Sequence, residues 1–308
     1  MSARLEHVAY RLVYDAMNLR RLPSLPHWLL PSARLRVRLT YLWRHGRLPN
    51  LGNPTRFTEL IQRRKLLDRD PRMGLYVNKV TAKAAAARLF GENWIIPTIW
   101  TGNSLPENPD WTFPFILKAS HGCNQNAVCY DASDYQIARR RASKWADKPY
   151  GLWLDEWAYR DIPRGFIVEP FLGNRAALPV DYKIYVFGGV AAFIQVHVDR
   201  VKNHRWVLYD RRWNQISKFD EAPVTAPTSL DRMVANAERI ASPFDFARVD
   251  FYEIDGMPKF GEVTFYPGSG LDRFDPEELD ALIGSRWAEA LNTRPCQADV
   301  PSYQAAAM

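Results

Sequence analysis

The chain has 308 residues, of which 47% are hydrophobic and 13% aromatic, which is enough apolar material for a large core in one or two domains. No run approaches the roughly 18 uninterrupted apolar residues that a membrane span needs. The charged start lacks the apolar core of a signal peptide, so we expect a soluble, cytoplasmic protein. The three cysteines (Cys123, Cys129 and Cys296) form no CxxC pair, which argues against a disulfide scaffold or a zinc site.

Positive charge is concentrated near the start of the chain. Residues 1–72 hold 15 Arg and Lys against 5 Asp and Glu, whereas the remaining residues hold 26 against 29. This asymmetry favours an acidic polymer, a phosphorylated lipid or an anionic membrane surface as a neighbour. A solvated helical face explains it equally well.

The same basic segment has helical periodicity. Apolar residues three and four apart predict an amphipathic helix over residues 5–19. Two further helices are expected in 31–46 and 53–70, the latter with Thr55 as its N-cap. The apolar stripe of residues 1–72 packs on the rest of the protein or lies on a membrane, and packing is the more frequent outcome.

The remainder of the chain mixes hairpins with helices. Helices are expected at 76–91, 133–148, 229–242 and 275–291. Strands are expected within 94–100, 110–131, 164–172, 180–200, 204–213 and 246–264. Hairpins outnumber strand–helix alternation, which predicts an α+β fold with largely antiparallel sheets. The sequence has no GxGxxG and no GxxxxGK[ST], which excludes Rossmann and P-loop sites.

Two acids stand in the last hairpin, "ARVDFYEIDGMPKFGEVTFYPGSG". If its strands pair through the "DGMP" turn, Asp250 and Glu262 approach each other across the ladder. Like charges so placed are unfavourable unless a cation lies between them, and paired carboxylates suit Mg²⁺ that also binds substrate phosphates. Arg248 shares a face with Asp250 and can stabilise an oxyanion. Two exposed acids on a hairpin are the simpler alternative.

Other polar residues interrupt apolar strands. Lys118 ends a strand before a flexible loop containing Gly122, an arrangement that can cradle a phosphate. Glu169 can accept from the exocyclic amine of a purine, with Phe171 and Leu172 flanking the ring. Taken singly, a strand-end lysine and an edge-strand glutamate are more often solvent contacts.

A charged stripe is also predicted on the longest β-hairpin. Asp181 and Lys183 are two residues apart and so face one side of a strand, as do His197 and Asp199. A solvated sheet face explains these residues too, although the strands are otherwise rich in Ile, Val and Phe.

Eight of these stretches, in order, resemble the ATP-grasp superfamily and more closely its TupA-like, amidoligase-type family. They are "NPTRFTELIQRRKLLDRDP", "YVNKVTAK", "FILKASHGCNQN", "FIVEPFL", "DYKIYVFGG", "VHVDR", "RVDFYE" and "FGEVTFYPGSG". The resemblance covers residues 53–284. It implies an ATP-grasp fold, with two β-rich lobes that clasp ATP and a helical basic N-terminal extension.

The resemblance also implies roles for individual residues. The nucleotide-binding residues it implies are Lys79, Lys118, His121, Gly122, Cys123, Asn124, Glu169, Phe171, Leu172 and Asp181. The Mg²⁺ ligands are Asp250 and Glu262. The residues around the transferred phosphoryl group are Lys183, Arg200 and Arg248. The acceptor loop is Gly268, Ser269 and Gly270.

These expectations lead to a division of the chain and to a function. The expected segments are a helical basic segment (1–72), a pre-ATP-grasp segment (73–112), a small lobe (113–172), a large lobe with the Mg²⁺ site (173–295) and a frayed tail (296–308). The expected function is an ATP- and Mg²⁺-dependent carboxylate–amine ligase that acts through an acyl phosphate on a cell-surface polysaccharide precursor. A phosphotransferase acting on a hydroxyl and a non-catalytic glycan-assembly module are the alternatives. Peripheral contact with the inner face of the membrane is a further expectation, and no nucleic-acid partner is expected.

Overall fold

Two antiparallel sheets organise the part of the chain that the computed structural model describes, which is residues 32–147, 150–173, 175, 177–199, 204–218 and 222–293. The predicted helix over 5–19, Arg200, Cys296 and the tail lie outside these residues. Mixed helices and antiparallel sheets confirm the α+β class. Among the described helices, none combines the length and apolar character needed to cross a bilayer.

The smaller sheet has four strands in the order β1-β4-β2-β3. They are β1 (Trp100–Gly102), β2 (Phe115–Ala119), β3 (Asn126–Cys129) and β4 (Phe166–Pro170). Alternate side chains of β2 point into a core that Tyr135 and Ala138 of helix α5 (Ala132–Ala146) complete. The predicted strand–loop–strand in 110–131 is therefore confirmed, with the loop between β2 and β3 free to carry function.

The larger sheet has five strands in the order β7-β6-β5-β8-β9. They are β5 (Asp181–Phe187), β6 (Val190–Val198), β7 (Arg205–Asp210), β8 (Phe246–Ile254) and β9 (Met257–Thr264). Gly188 and Gly189 join β5 to β6, and Asp255 and Gly256 join β8 to β9; all four have positive φ. Two such residues in a tight turn match the right-handed twist of a hairpin, so both predicted hairpins form.

Helices cover the larger sheet and continue its core. They are α2 (Phe57–Leu67), α3 (Arg72–Val77), α4 (Lys79–Phe90), α6 (Leu230–Ala241) and α7 (Glu278–Thr293), while α1 (Ala33–His45) packs on α2. Phe57 is 1% exposed, and its ring lies 5.1 Å from that of Phe246 and 5.7 Å from that of Trp287. The basic segment is therefore joined to the larger core at α2.

Three local predictions were wrong. Helix α2 begins at Phe57 with Arg56, not Thr55, as its N-cap, and Glu59 in its first turn accepts from the backbone N–H groups of Thr55 and Arg56. The strand predicted over 94–100 begins only at Trp100. The turn of the last hairpin is Asp255–Gly256 alone, since Met257 and Pro258 already pair in the ladder.

Candidate active site

A row of charged side chains crosses one face of the larger sheet. Lys183 on β5 pairs in register with Asp250 on β8, and Asp250 pairs with Glu262 on β9, as the hairpin pattern predicts. Lys183 Nζ donates to Asp250 Oδ2 at 2.5 Å and lies 2.7 Å from Asp181 Oδ2. Arg248 donates to both oxygens of Asp250, with Nε–Oδ1 and Nη2–Oδ2 distances of 2.7 Å.

Mutual pairing keeps this cluster ionised although it is buried. Asp250 is only 2% exposed, and burial alone would raise its pKa, but Arg248 and Lys183 outweigh burial and lower it. Burial would lower the pKa of Lys183, yet Asp181 and Asp250 raise it. The cluster is thus a fixed array of charges that need no reorganisation when an anion arrives.

The two predicted metal ligands, Asp250 and Glu262, fit a Mg²⁺ ion that binds together with the nucleotide and takes its other ligands from phosphate and water. Among the described residues, no group of three or more His, Cys, Asp or Glu side chains is placed to hold a metal. Mg²⁺ commonly takes one or two protein carboxylates and fills its octahedron with water and phosphate oxygens. Asp250 and the 30%-exposed side chain of Glu262 supply that number. Arg248 and Lys183 donate one hydrogen bond to Oδ1 and two to Oδ2 of Asp250, so the acceptor site that is left for an ion is on Oδ1.

Lys79 connects the two sheets at this row. It is the first residue of α4, where the side chain of Asn78 caps the helix. Its Nζ donates to Gly122 O at 2.6 Å and lies 3.6 Å from Glu262 Oε2. Its backbone N–H donates to Ser120 O at 2.9 Å. The lysine therefore brings the loop of the small sheet to the acid of the large one.

The loop between β2 and β3 is held from within. His121 is buried, and its Nδ1 and Nε2 lie 3.2 and 3.0 Å from the carbonyl oxygens of Gly165 and Trp145. Its predicted nucleotide contact stays a prediction, whereas its contacts in this structure position the loop. A Cβ on Gly122 would come within 2.9 Å of the Tyr150 ring, so the backbone passes where only glycine fits.

The next two loop residues differ in what they face. Cys123 Sγ lies 2.9 Å from the hydroxyl of Tyr159, and burial raises the pKa of the thiol to about 12, so the side chain acts as a neutral group. Asn124 is exposed and has φ 56°, a backbone conformation that asparagine tolerates well. Of the predicted loop contacts, Asn124 is therefore the one whose side chain faces outward.

Glu169 does not face an open strand edge. It lies on the inner strand β4, and its oxygens accept from Lys83 and Lys118 at 2.6 Å each. Burial would raise the pKa of Glu169, but Lys118 and Lys83 together lower it. The acid predicted to accept from a purine amine is already paired, and it places the Lys118 ammonium. Sequence reasoning missed Lys83 in this role, although it follows Lys79 by one helical turn.

The flanking residues Phe171 and Leu172 are half-buried just beyond β4. The Phe171 ring makes an edge contact with Tyr130 at 5.7 Å. Their predicted place beside an adenine ring stays a prediction.

The glycine loop is anchored by side chains of α2. Gly268, Ser269 and Gly270 all have positive φ and form a tight left-handed turn. Gln62 Nε2 donates to Ser269 O at 2.9 Å and Gly270 O at 3.1 Å, and Lys65 Nζ donates to Ser269 O at 2.8 Å. Polar residues on the buried face of α2 were the available signal for this anchoring, and sequence reasoning missed it.

A cavity of about 400 Å³ opens beside Arg248, on the β5–β6–β7 side of the charged row. Its lining includes Gly268 and Gly270 of the glycine loop, together with Tyr185 and Gln195. Arg248 therefore stands between two regions. One holds Lys79, Lys118 and the β2–β3 loop, and the other is a separate space large enough for a small molecule.

Two antiparallel sheets, connected through Lys79 at a row of acids and cations, have the architecture of the ATP-grasp class. A family model described as TupA-like ATPgrasp matches residues 59–288, which is 230 of the 308 residues. The chain belongs to this TupA-like ATP-grasp family. Membership supports an ATP-dependent activity of the ligase or kinase-like kind.

Solved structures with a similar fold include D-alanine–D-alanine ligase from Helicobacter pylori, at 17% identity and a TM-score of 0.44 over 72% of this chain and 60% of that chain. The Bacillus anthracis enzyme complexed with ATP has 15% identity and a TM-score of 0.43 over 71% and 64%. The ATP-grasp ligase PsnB, complexed with a minimal precursor, has 12% identity and a TM-score of 0.42 over 72% and 62%.

The chain thus spans less than two thirds of the length of each of these proteins. At such identities and TM-scores, these similarities carry no argument about substrate or reaction. No curated protein matches the sequence.

Proposed function

We propose that this chain is an ATP-dependent carboxylate–amine ligase that activates an acid as an acyl phosphate and then forms an amide. The observation that carries the proposal is the position of Arg248. Its guanidinium is held by Asp250 within the charged row, and it also lines the 400 Å³ cavity. A phosphoryl group passing from nucleotide to acceptor needs a fixed cation at that boundary.

The residues of the charged row and its surroundings have different proposed roles, which follow from their positions. Lys79, Lys118 and the β2–β3 loop bind the phosphate chain of ATP on one side of the row. Asp250 and Glu262 hold Mg²⁺, which, when bound, neutralises the charge that develops on the phosphates. Lys183 keeps Asp250 ionised and adds a positive charge beside the transferred group. Arg200 remains a predicted contact outside the described residues.

The acceptor enters from the cavity. Its carboxylate oxygen attacks the γ-phosphorus of ATP beside Arg248. The bond from that phosphorus to the β–γ bridging oxygen breaks with its electron pair leaving on ADP, which gives an acyl phosphate on the acceptor. An amine then attacks the acyl carbon, and the C–O bond to phosphate breaks with its electron pair leaving on phosphate. Holding both reactants in one orientation contributes roughly 7–11 kcal/mol to such a step. The proposed acceptor is a sugar acid or amino acid of a cell-surface polysaccharide precursor, and the exposed basic residues of α1 suit peripheral contact with an anionic membrane or glycan.

ADP release from ATP and Mg²⁺, screened against uronic acids and amino acids with mass spectrometry of the products, tests the proposal. The ligase requires both an acid and an amine and yields an amide. A stable phosphorylated product formed without an amine overturns this assignment and favours the phosphotransferase. Asp255→Asn should release ADP as the unaltered protein does, since this exposed acid at the tip of the β8–β9 hairpin is outside the charged row.

A further inference from the structure

The cavity beside Arg248 is strongly cationic. Its lining contains four permanent cations (Arg44, Lys218, Arg248 and Arg273) and a single carboxylate, that of Asp272. Arg248 is ion-paired with Asp250 and belongs to the charged row, so the positive charge of the rest of the cavity wall comes from the other three cations. A concave surface with one sign of charge attracts ligands of the opposite sign.

The three remaining cations are held in place without forming ion pairs. Arg44 Nε donates to Leu271 O at 2.9 Å, and Arg273 Nε donates to the carbonyl oxygen of Arg44 at 2.7 Å. The Lys218 ammonium lies 4.7 Å from the centre of the Trp206 ring. Among the described residues, no carboxylate lies within 4.0 Å of these three charges. Their backbone and ring contacts, and the excess of cations over the single carboxylate of Asp272, suit a second anionic group.

The wall of the cavity also offers an unused hydrogen-bonding atom. His197 Nδ1 lies 2.8 Å from His204 Nε2, whereas His197 Nε2 is buried with no partner in the described part of the chain. Burial lowers the pKa of His197 to about 2, so the ring stays neutral and can bond a polar group without adding charge. An orphaned buried nitrogen in a cavity wall is expected to be satisfied by a ligand.

We propose that this cavity takes an acceptor with a second anionic group, either a phosphate or another carboxylate, in addition to its reacting carboxylate. The proposal rests on the ligase function and narrows its substrate class. The reacting carboxylate lies against Arg248, and the second anion lies among Arg44, Lys218 and Arg273. Trp206 and Phe274, whose rings are 6.4 Å apart and nearly perpendicular, form apolar walls for the body of the acceptor.

Helix α1 therefore contributes to the acceptor site. Besides Arg44, it carries His45, whose Nε2 lies 3.2 Å from Gly270 O. Arg44 precedes residues 59–288, which the family model matches. The basic segment at the start of the chain thus has a role within the protein: Arg44 of α1 forms part of the cavity wall and contributes a positive charge to it.

Isothermal titration tests the proposal on the full chain saturated with Mg²⁺ and a non-hydrolysable ATP analogue. The probes are galacturonic acid (one anionic group), galacturonic acid 1-phosphate and digalacturonate. We expect at least one of the two probes with a second anionic group to bind at least about 10-fold more tightly than galacturonic acid. The probe that does so identifies the second group as phosphate or carboxylate.

This preference should fall at least about 10-fold in Lys218→Gln and in Arg44→Gln, while Arg34→Gln, which changes an exposed arginine of the same helix outside the cavity, leaves it unchanged. Equal binding of all probes, no binding of any probe, or a preference that survives both cavity variants overturns the proposal. The ligase function fails separately, by the absence of an amide product. An amide made from an acid with two anionic groups, with a KM for that acid unchanged in both cavity variants, refutes the second anionic site alone.

Discussion

Arg248 and Asp250, two residues apart on β8, form a bidentate ion pair with both distances at 2.7 Å, and Lys183 completes the contact from the neighbouring strand. Strand alternation places both side chains on one face of the sheet. This pair fixes the cation at the boundary between the proposed nucleotide site and the acceptor cavity.

Asp250→Asn should therefore impair both stability and activity. The substitution leaves two buried cations without their shared counter-charge, which costs about 3–5 kcal/mol in the free energy of unfolding. ATP turnover should fall about 100-fold or more, because Arg248 loses its orientation and Mg²⁺ loses a ligand. Urea unfolding and ADP release measure the two effects. Asp255→Asn on the same hairpin should change neither, and an Asp250→Asn protein with wild-type turnover would contradict the account.

The Glu169 pair with Lys83 and Lys118 predicts a specific pH dependence. Its pKa is lowered in the folded protein from an ordinary value of 4.5, so its ion pairs stabilise the fold above that pH and are lost as the pH falls through the folded-state pKa. Glu169→Gln should cost about 3 kcal/mol at pH 7. The difference from wild type should shrink below pH 4.5 in urea unfolding between pH 3 and 7. If the difference in the free energy of unfolding does not change with pH, the pairing is contradicted. The control is Glu107→Gln at an exposed acid, which should show no pH-dependent difference from wild type.

Gly270 should tolerate substitution far less well than Gly256. Both have positive φ, so alanine strains the backbone at either position, by about 1 kcal/mol. At Gly270 the new Cβ would also lie 2.5 Å from Gln62 Nε2 and 2.8 Å from Ile61 Cβ, whereas at Gly256 the nearest atom is 3.7 Å away. Gly270→Ala should lower the free energy of unfolding more and raise KM for the acceptor, with KM for ATP unchanged. Equal costs at the two positions would show that α2 does not fix the loop.

Phe57→Ala tests whether the basic segment belongs to the fold. The ring is almost fully buried among Phe246, Tyr185 and Trp287, so its loss should cost about 3–5 kcal/mol in urea unfolding. The matched control is Leu67→Ala in the same helix, which is 65% exposed and should cost under about 0.5 kcal/mol. Similar values for the two variants would indicate that α2 is not part of the core.

Much of the large sheet could be predicted because its signals are local. Gly188–Gly189 and Asp255–Gly256 define tight turns, which set the strand pairing next to each turn. The exact partner of Asp250 is Glu262 because of a register shift between Asp250 and Phe251; without this irregularity the turn would pair Asp250 with Gly261. Local patterns also placed Lys118 at a strand end.

The contacts that sequence reasoning missed join distant parts of the chain. Lys83 meets Glu169 across 86 residues, and Lys65 meets the carbonyl of Ser269 across 204. The sequence pattern around Lys83 and Lys65 does not indicate which distant residue each one contacts, because tertiary packing alone brings the two members of each pair together. The same is true of Arg44, which reaches the acceptor cavity only because α1 packs against the segment after the glycine loop.

The central claim is that an acceptor carboxylate receives the γ-phosphoryl group before the amide forms. The most direct measurement uses an acceptor labelled with ¹⁸O in its carboxylate, with ATP, Mg²⁺ and an amine, followed by mass spectrometry of the released phosphate. We expect one ¹⁸O atom to be transferred to inorganic phosphate for each amide formed. Phosphate that remains covalently bound to the acceptor, with both ¹⁸O atoms retained in the carboxylate, would contradict it.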